Sequence, residues 1–407
     1  MNCRYCRSPL EHVFLDLGFA PPSNAYLTND DLTTPETWFP LKLYVCAHCW
    51  LVQTEDYARA EELFRPDYPY FSSTSTSWLA HAAHYASTIT RQLGLGNSSL
   101  VIEIACNDGY LLKNFFAMGI PCLGIEPTAS TAAAAERYGI PVLREFFDEE
   151  LGNRLAAAGQ QADLIVGNNV YAHVPDINDF TRGLKAALKP GGTVTLEFPH
   201  LMWLIEQTQF DTVYHEHFSY LSLHVLSCIF ATAGLRVFDV EELPTHGGSL
   251  RVFGCHAEDA RPTAGTVVAL LAEESRRGLQ SLETYSGFQP RADRIKDDLL
   301  EFLIQQKKAG KTVAAYGAAA KGNTLLNYAG IKPDLLPFIC DASHAKQGKF
   351  MPGSHIQILP PPAIFAAQPD YVIVLPWNIA TEVRQQLASL VATGTRLVKA
   401  VPSLEFF

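Results

Sequence analysis

Short continuous apolar runs alternate with amphipathic stretches over most of the chain. SLVIEIA reads as a strand buried on both faces; the turn CNDG ends it and the helical run YLLKNFFAMG follows. PCLGIEP is the next strand, followed by the alanine-rich helix TASTAAAAERYG. IPVL, ADLIVGNN and GTVTLEFP are further strand candidates. Strands alternating with helices predict a doubly wound α/β sheet of parallel strands, with ligands at the strand carboxyl ends. A charged helical stretch, with EESRRGLQSLETY and RIKDDLLEFLIQQ in it, covers about 265–308. A second alternating block then begins at TVAAYGAAAKG, with strands TVAAYGA, LPFICD and YVIVLP, and predicts a second Rossmann-like domain.

The first 66 residues differ: they are short-period, turn-rich and carry paired cysteines. The pattern therefore divides the chain into 1–66, 67–264 and 265–407, in keeping with the two or three domains expected of 407 residues. With 48% hydrophobic and 18% charged residues the composition is globular. The net charge of −11 argues against a nucleic-acid partner, since phosphate binding wants a basic stripe; a small anion is still within reach of a few local cations. MNCRYCRSPL lacks an apolar core and a cleavage site, and no run of about 18 uncharged apolar residues occurs. The expectation is a cytoplasmic protein with no membrane span. The sequence leaves the oligomeric state open, a monomer included.

Four of the nine cysteines form two pairs, Cys3-x-x-Cys6 and Cys46-x-x-Cys49. A Cys-x-x-Cys turn presents two thiolates to one ion, so two such turns predict a structural zinc site without an open position. Two unrelated pairs or a redox couple are the plainer alternatives. The remaining cysteines, such as Cys228 and Cys340, sit singly in apolar runs and read as reduced core residues.

The turn after SLVIEIA contains Glu103, Ala105, Asn107, Asp108 and Gly109. A dinucleotide or S-adenosylmethionine (SAM) needs small residues there so that backbone can approach it at a helix start. Ala105 and Asn107 stand where glycines are usual. About 20 residues on, Glu126 ends the next strand and can hold two ribose hydroxyls; it serves equally as a negative charge at a helix start beside Pro127. Asn168 and Asn169 end the strand past which adenosine would run.

FDTVYHEHFSYLS gathers Tyr214, His215, Glu216, His217 and Tyr220. Histidine titrates near neutrality and is the natural proton carrier. If extended, the segment would put Tyr214, Glu216 and Tyr220 on one face and both histidines on the other; a turn would change this. A metal-binding cluster or a polar helix start would use the same residues. His173, just beyond a strand end, and Tyr68 and Tyr70, before a Ser/Thr run, are further candidates; the tyrosines suit a lid or linker packing equally.

Taken together, CRYC…CAHC, EIACNDGYLL, GIEP, NNVYAHVPD, LEFPHL, FDTVYHEHFSYLS, THGGSLRVF, YGAAAKGNTLLN and PGSHIQI resemble the sugar C-methyltransferases that act on nucleotide-linked keto-deoxysugars, the 3-C-methyltransferases of branched-sugar pathways above all. Cys106 stands where serine is as frequent. The resemblance implies a zinc domain, a SAM-binding methyltransferase domain and a C-terminal Rossmann-like domain that holds the nucleotide sugar. It implies a substrate with a ketone at C4, methylated at C3, with His217 as general base and Tyr214, Glu216, His173, Tyr68 and the neighbouring Tyr70 around it. In the C-terminal block, Lys321, Gly322 and Asn323 open a helix after a small-residue turn, which suits a diphosphate and equally a plain tight turn. The Gly317-to-Gly322 spacing is neither a Walker loop nor a full NAD fingerprint, although Asp341 ends the next strand. Arg251 and Lys346 are weaker cation candidates, expected as ordinary surface charges. The rival readings are an O- or N-methyltransferase, a zinc-ribbon binding protein without catalysis, and a dehydrogenase.

Overall fold

The fold is taken from a computed structural model that describes residues 1–57 and 71–407. The chain forms two compact units, each assembled from separated stretches. One gathers Met1–Glu11, Cys46–Leu201 and Phe218–Gln280; the other gathers His12–Val45, Met202–His217 and Ser281–Phe407.

The first unit is built on a seven-stranded sheet. Its order is Leu235–Leu243, Ser249–His256, Leu188–Pro199, Ala162–Asn168, Val101–Ile104, Cys122–Ile125, Val142–Leu143. The neighbouring strands from Leu188–Pro199 to Val142–Leu143 run parallel, as the alternating pattern predicts. Ser249–His256 runs antiparallel to both its neighbours, which the pattern did not reveal. From Val101–Ile104 the chain moves outward on one side, then returns to lay Ala162–Asn168 on the other. The strand order thus reverses between these two, and their carboxyl ends open the crevice where such sheets bind ligands.

Helix Thr76–Leu93 covers one face. Ser75 accepts a hydrogen bond from Trp78 N at its start, and Gly94 ends it in the left-handed conformation. It buries Ala82, Tyr85, Ala86 and Ile89, spaced three or four apart, against Val101, Leu112 and Phe115. On helices Glu149–Ala157 and Ile177–Ala187, a β-carbon on Gly152 would lie 2.5 Å from Gly183 O, so only glycine permits their approach.

The second unit contains an antiparallel hairpin, His12–Ala20 with Phe39–Val45. Its six-stranded sheet runs Gln357–Leu359, Phe338–Cys340, Val313–Tyr316, Tyr371–Val374, Arg396–Lys399, Glu405–Phe406. All are parallel except the last. Strand order again reverses beside the strand that comes first in the chain, Val313–Tyr316, giving the second Rossmann-like sheet. The charged stretch before it folds into helix Gly265–Arg276, which belongs to the first unit, and helices Leu282–Ser286 and Phe288–Lys308 of the second. Among the described residues, no helix is long and apolar enough to cross a membrane.

Candidate active site

The two cysteine turns are built alike. Arg7 N donates to Cys3 O and Trp50 N to Cys46 O, and both donors sit in the left-handed region just past the second cysteine of their turn. The ligand atoms of Cys3, Cys6, Cys46 and Cys49 all lie within 4.8 Å of one another. Sulfurs from different turns approach most closely, Cys3 to Cys49 and Cys6 to Cys46 at 3.5 Å each. Zinc–sulfur bonds of about 2.3 Å space tetrahedral thiolates by about 3.8 Å, so the four fit one zinc ion. Gln53 Nε2 donates to Cys3 Sγ at 3.2 Å, the kind of outer hydrogen bond that orients a ligand.

At the crevice, Ala105, Asn107 and Gly109 all adopt positive φ (56°, 51° and 77°). The backbone therefore takes the glycine-like path although two of the three are not glycine. Asn107 N donates to Glu126 Oε2 at 3.0 Å and Thr128 N to Oε1 at 2.9 Å, so this acid secures both the turn and the next helix start. Burial raises the Glu126 pKa above its ordinary value. Glu103 is raised well above the carboxylate range, by burial first and then by Asp108. Glu103 Oε2, Asp108 Oδ1 and Asn168 Oδ1 are buried without a hydrogen-bond partner. Each such acceptor costs about 1–3 kcal/mol, and three at one crevice mark a site completed by a ligand rich in donors. SAM, with its ammonium, ribose hydroxyls and adenine amine, fits them.

Some residues here went unnoticed in the sequence. Ser72 N donates to Asn107 Oδ1 at 2.9 Å, and Ser73 binds Asp108 Oδ2 through both backbone and hydroxyl. Asn169 and His246 both have positive φ, and Asn169 Nδ2 lies 3.2 Å from His246 Nε2. The Trp78 ring lies 5.2 Å from His246 and 5.9 Å from Tyr110. The Gly-Gly pair following His246 was the available signal. His173 lies in a 3-10 turn just past strand Ala162–Asn168, where it was expected. Tyr68 and Tyr70 lie outside the described residues.

The YHEH segment belongs to the second unit and is a turn, so the grouping of faces for an extended segment gives way. His217 N donates to Tyr214 O at 3.0 Å, and the Tyr214 and His217 rings lie 4.0 Å apart. Asn24 Nδ2 donates to both Glu216 oxygens at 3.0 and 2.9 Å. His215 packs edge-on against Phe39, and burial lowers its pKa. Tyr220 is elsewhere, on the short strand Ser219–Tyr220 of the first unit.

In the second unit Lys321 Nζ donates to Asn378 Oδ1 at 2.7 Å and lies 4.3 Å from the Trp377 ring centre. Trp377 Nε1 donates to Asp211 Oδ2 at 2.7 Å. Burial pushes Lys321 down to about 8 and Asp211 up to about 6. Asn323 is buried with neither side-chain atom hydrogen-bonded. The glycines of this turn meet close neighbours: a β-carbon on Gly317 would overlap Pro376, and one on Gly322 would come within 2.9 Å of Leu375. Asp341 Oδ2 accepts from Ala318 N at 2.6 Å.

Arg251 and Lys346 are not the ordinary surface charges expected. Arg251 is 4% exposed, bonds Glu197 at 2.6 Å and Glu241 at 2.9 Å, and lies 4.3 Å from the Tyr85 ring centre. Alternation on an antiparallel strand turned it inward, and the buried Glu197 compensates its charge. Lys346 Nζ is half-buried and donates to Ala318 O at 2.8 Å.

Three family models match the chain in order: a zinc binding domain over residues 3–64, a methyltransferase domain over 78–240 and a C-methyltransferase C-terminal domain over 244–402. The C-methyltransferase NovU of Streptomyces niveus is 34% identical over 401 residues, covering 98% of this chain and 95% of its own. A ubiquinone biosynthesis O-methyltransferase of Methylobacterium sp. (strain 4-46) is 31% identical over 96 residues, 23% of this chain and 37% of that protein. The solved glycopeptide N-methyltransferase MtfA with SAM covers 43% of this chain and 94% of its own at 13% identity, with a TM-score of 0.34. Likeness to a C-methyltransferase along nearly its whole length, with the zinc-binding thiols and the nucleotide-fold crevice in place, makes this chain a member of the SAM-dependent C-methyltransferase family.

Proposed function

We propose that the chain methylates C3 of a nucleoside-diphosphate-linked 4-keto-deoxysugar, working in the cytoplasm, where its thiols stay reduced and free for zinc. The reading keeps the division 1–66, 67–264 and 265–407 for zinc, methyl donor and nucleotide sugar. The observation that carries it is the Tyr214–His217 ring pair, an imidazole set against a phenol in a turn whose carboxylate, Glu216, is fixed by Asn24. An O- or N-methyltransferase has no need of a base for a carbon-bound proton.

The ketone at C4 acidifies C3, because the electron pair left there spreads onto oxygen. His217 takes the C3 proton, and Tyr214, with His173 and Tyr68 or Tyr70 as further donors, hydrogen-bonds the C4 oxygen as its charge grows. SAM, when bound, would supply an electrophilic methyl for the C3 electron pair. Glu216 orients His217 or holds a sugar hydroxyl. Glu103, Ala105, Asn107, Asp108, Gly109, Glu126, Asn168 and Asn169 hold the donor. Lys321, with Gly322 and Asn323, serves the nucleotide end; as a cation below about pH 8 Lys321 suits a diphosphate.

The test incubates the protein with SAM and a panel of nucleotide 4-ketosugars and reads product by mass spectrometry. The expected product gains one methylene, and in deuterated solvent without SAM the C3 hydrogen exchanges. His217→Asn should abolish turnover and exchange while SAM still binds by calorimetry. Full activity of that variant removes His217 from the mechanism, and methylation of oxygen or nitrogen without C3 exchange overturns the reaction class.

A further inference from the structure

Zinc asks for a thiolate at each end of a Cys-x-x-Cys turn and nothing of the residues between. In the first turn one of them is Arg4, and it is 6% exposed. A guanidinium taken out of water is costly unless its donors and charge are met. Among the described residues its carboxylate partner is Asp56 at 2.8 Å, itself 59% exposed, so that pair does not account for the burial.

Two of its donors go to backbone, while Nε has no partner among the described residues. Arg4 Nη1 donates to Pro175 O at 2.7 Å and Nη2 to Thr54 O at 2.9 Å, while the guanidinium lies 5.3 Å from the Phe218 ring centre. These backbones are bonded to one another: Thr54 N donates to Phe218 O at 3.1 Å, and Phe218 N to Ala172 O at 2.8 Å. The contact is returned by Asn178, whose Nδ2 donates to Tyr5 O at 2.9 Å and Arg4 O at 3.3 Å. On the metal side, Arg4 N donates to Gln53 Oε1 at 2.8 Å, and the same Gln53 amide donates to Cys3 Sγ. Pro175 lies two residues after His173, Ala172 one before it, and Phe218 directly follows His217.

We propose that the first zinc turn is a clasp on the reacting segments, with Arg4 the positioning residue that fixes the backbone on both sides of His173 and immediately after His217. The inference rests on the roles given to these histidines above. The metal makes the turn rigid, Gln53 ties Arg4 to a metal ligand, and the guanidinium passes that rigidity to 172–175 and to Phe218. A base or hydrogen-bond donor displaced by about 1 Å loses up to about 100-fold in rate, so the clasp acts on turnover.

The experiment uses the full-length, zinc-loaded protein and compares Arg4→Gln, Arg4→Lys and Asn178→Ala with wild type. Zinc content, SAM affinity, hydrogen–deuterium exchange by mass spectrometry, kcat and KM are read for each. For Arg4→Gln the expected result is unchanged zinc, SAM affinity within about two-fold, and faster exchange in peptides covering 171–178 and 218–221 but not 101–104. Its kcat falls by about 10- to 100-fold with little change in KM. Arg4→Lys restores part of the rate, since an ammonium still reaches one carbonyl. Should Arg4→Gln lose zinc or fail to fold, Asn178→Ala, which touches no thiol-bearing residue's side chain, must show the same local exchange and a smaller kcat loss. Unchanged exchange in both peptides, or a full kcat in the zinc-loaded variants, overturns the clasp. His173→Ala separates the two ideas: full activity there withdraws the role of His173, while the exchange result still decides whether the clasp exists.

Discussion

Glu197 shows how single residues inside the sheet are held. It is completely buried on the strand between Asn168 and Arg251, in register with both. Burial alone would raise its pKa; the His81 hydrogen bonds and the Arg251 charge reverse this and hold it at about 2. The unfolded carboxylate titrates near 4.5. Above that value both states are ionised and the paired one is favoured by its full interaction. Between about 4.5 and 2 the unfolded state takes up the proton first, so stability from this group falls as pH falls. At about 1.4 kcal/mol per pH unit, the whole gap is worth about 3 kcal/mol. Glu197→Gln should therefore be less stable at pH 7, where it leaves Arg251 short of a partner, and its urea midpoint should fall less than that of wild type between pH 5 and pH 3. Parallel pH profiles for the two proteins would show that Glu197 is not the titrating partner. None of this was readable from LEFPHL and SLRVF, because which charges a strand turns inward depends on its neighbours.

At the scale of elements, the two ends of strand Val313–Tyr316 show two uses of glycine. Gly317 has φ of 88° and faces Pro376, whereas Gly310 has φ of 67° with nothing within 4 Å of a β-carbon. Gly310→Ala should cost only the left-handed strain, about 1 kcal/mol. Gly317→Ala adds overpacking and should cost about 2 kcal/mol more, read as the difference in denaturation midpoints. Equal losses would mean that Pro376 yields freely. The strand–turn–helix sequence here was legible, as was the CNDG turn, because local pattern and turn chemistry fix both. The reason for the glycines was not, since it lies on a strand exit about 60 residues away. The same limit hid the reversed strand Ser249–His256 and the turn in YHEH: periodicity reports which faces are apolar, not which neighbour covers them. The paired cysteines were legible because a ligand set shows as spacing alone.

At the scale of the whole molecule, the chain order and the folding units differ. His12–Val45 and Met202–His217 fold with Ser281–Phe407, although they flank or interrupt stretches that fold as the first unit. The bonds are specific: Tyr26 OH donates to Ala318 O, Thr324 Oγ1 to Val213 O, and Trp377 Nε1 to Asp211. Asp211 and Val213 immediately precede the YHEH turn, so that turn takes its shape from residues beyond 310. A chain ended at residue 280 keeps every stretch of the first unit, the methyl-donor crevice included. It strands Leu41, Leu43, Phe210 and Val213, all buried in the whole protein, and leaves Asp211 without its tryptophan. Such a fragment should bind a hydrophobic dye far more strongly than the full chain and exchange amide hydrogens freely over 202–217. SAM affinity should change much less, because Asn107 and Glu126 draw their partners from within the first unit. A fragment of 280 residues that excludes dye and protects 202–217 would mean that these segments need no C-terminal partner, and that the base of the proposed reaction is shaped by the methyltransferase unit alone.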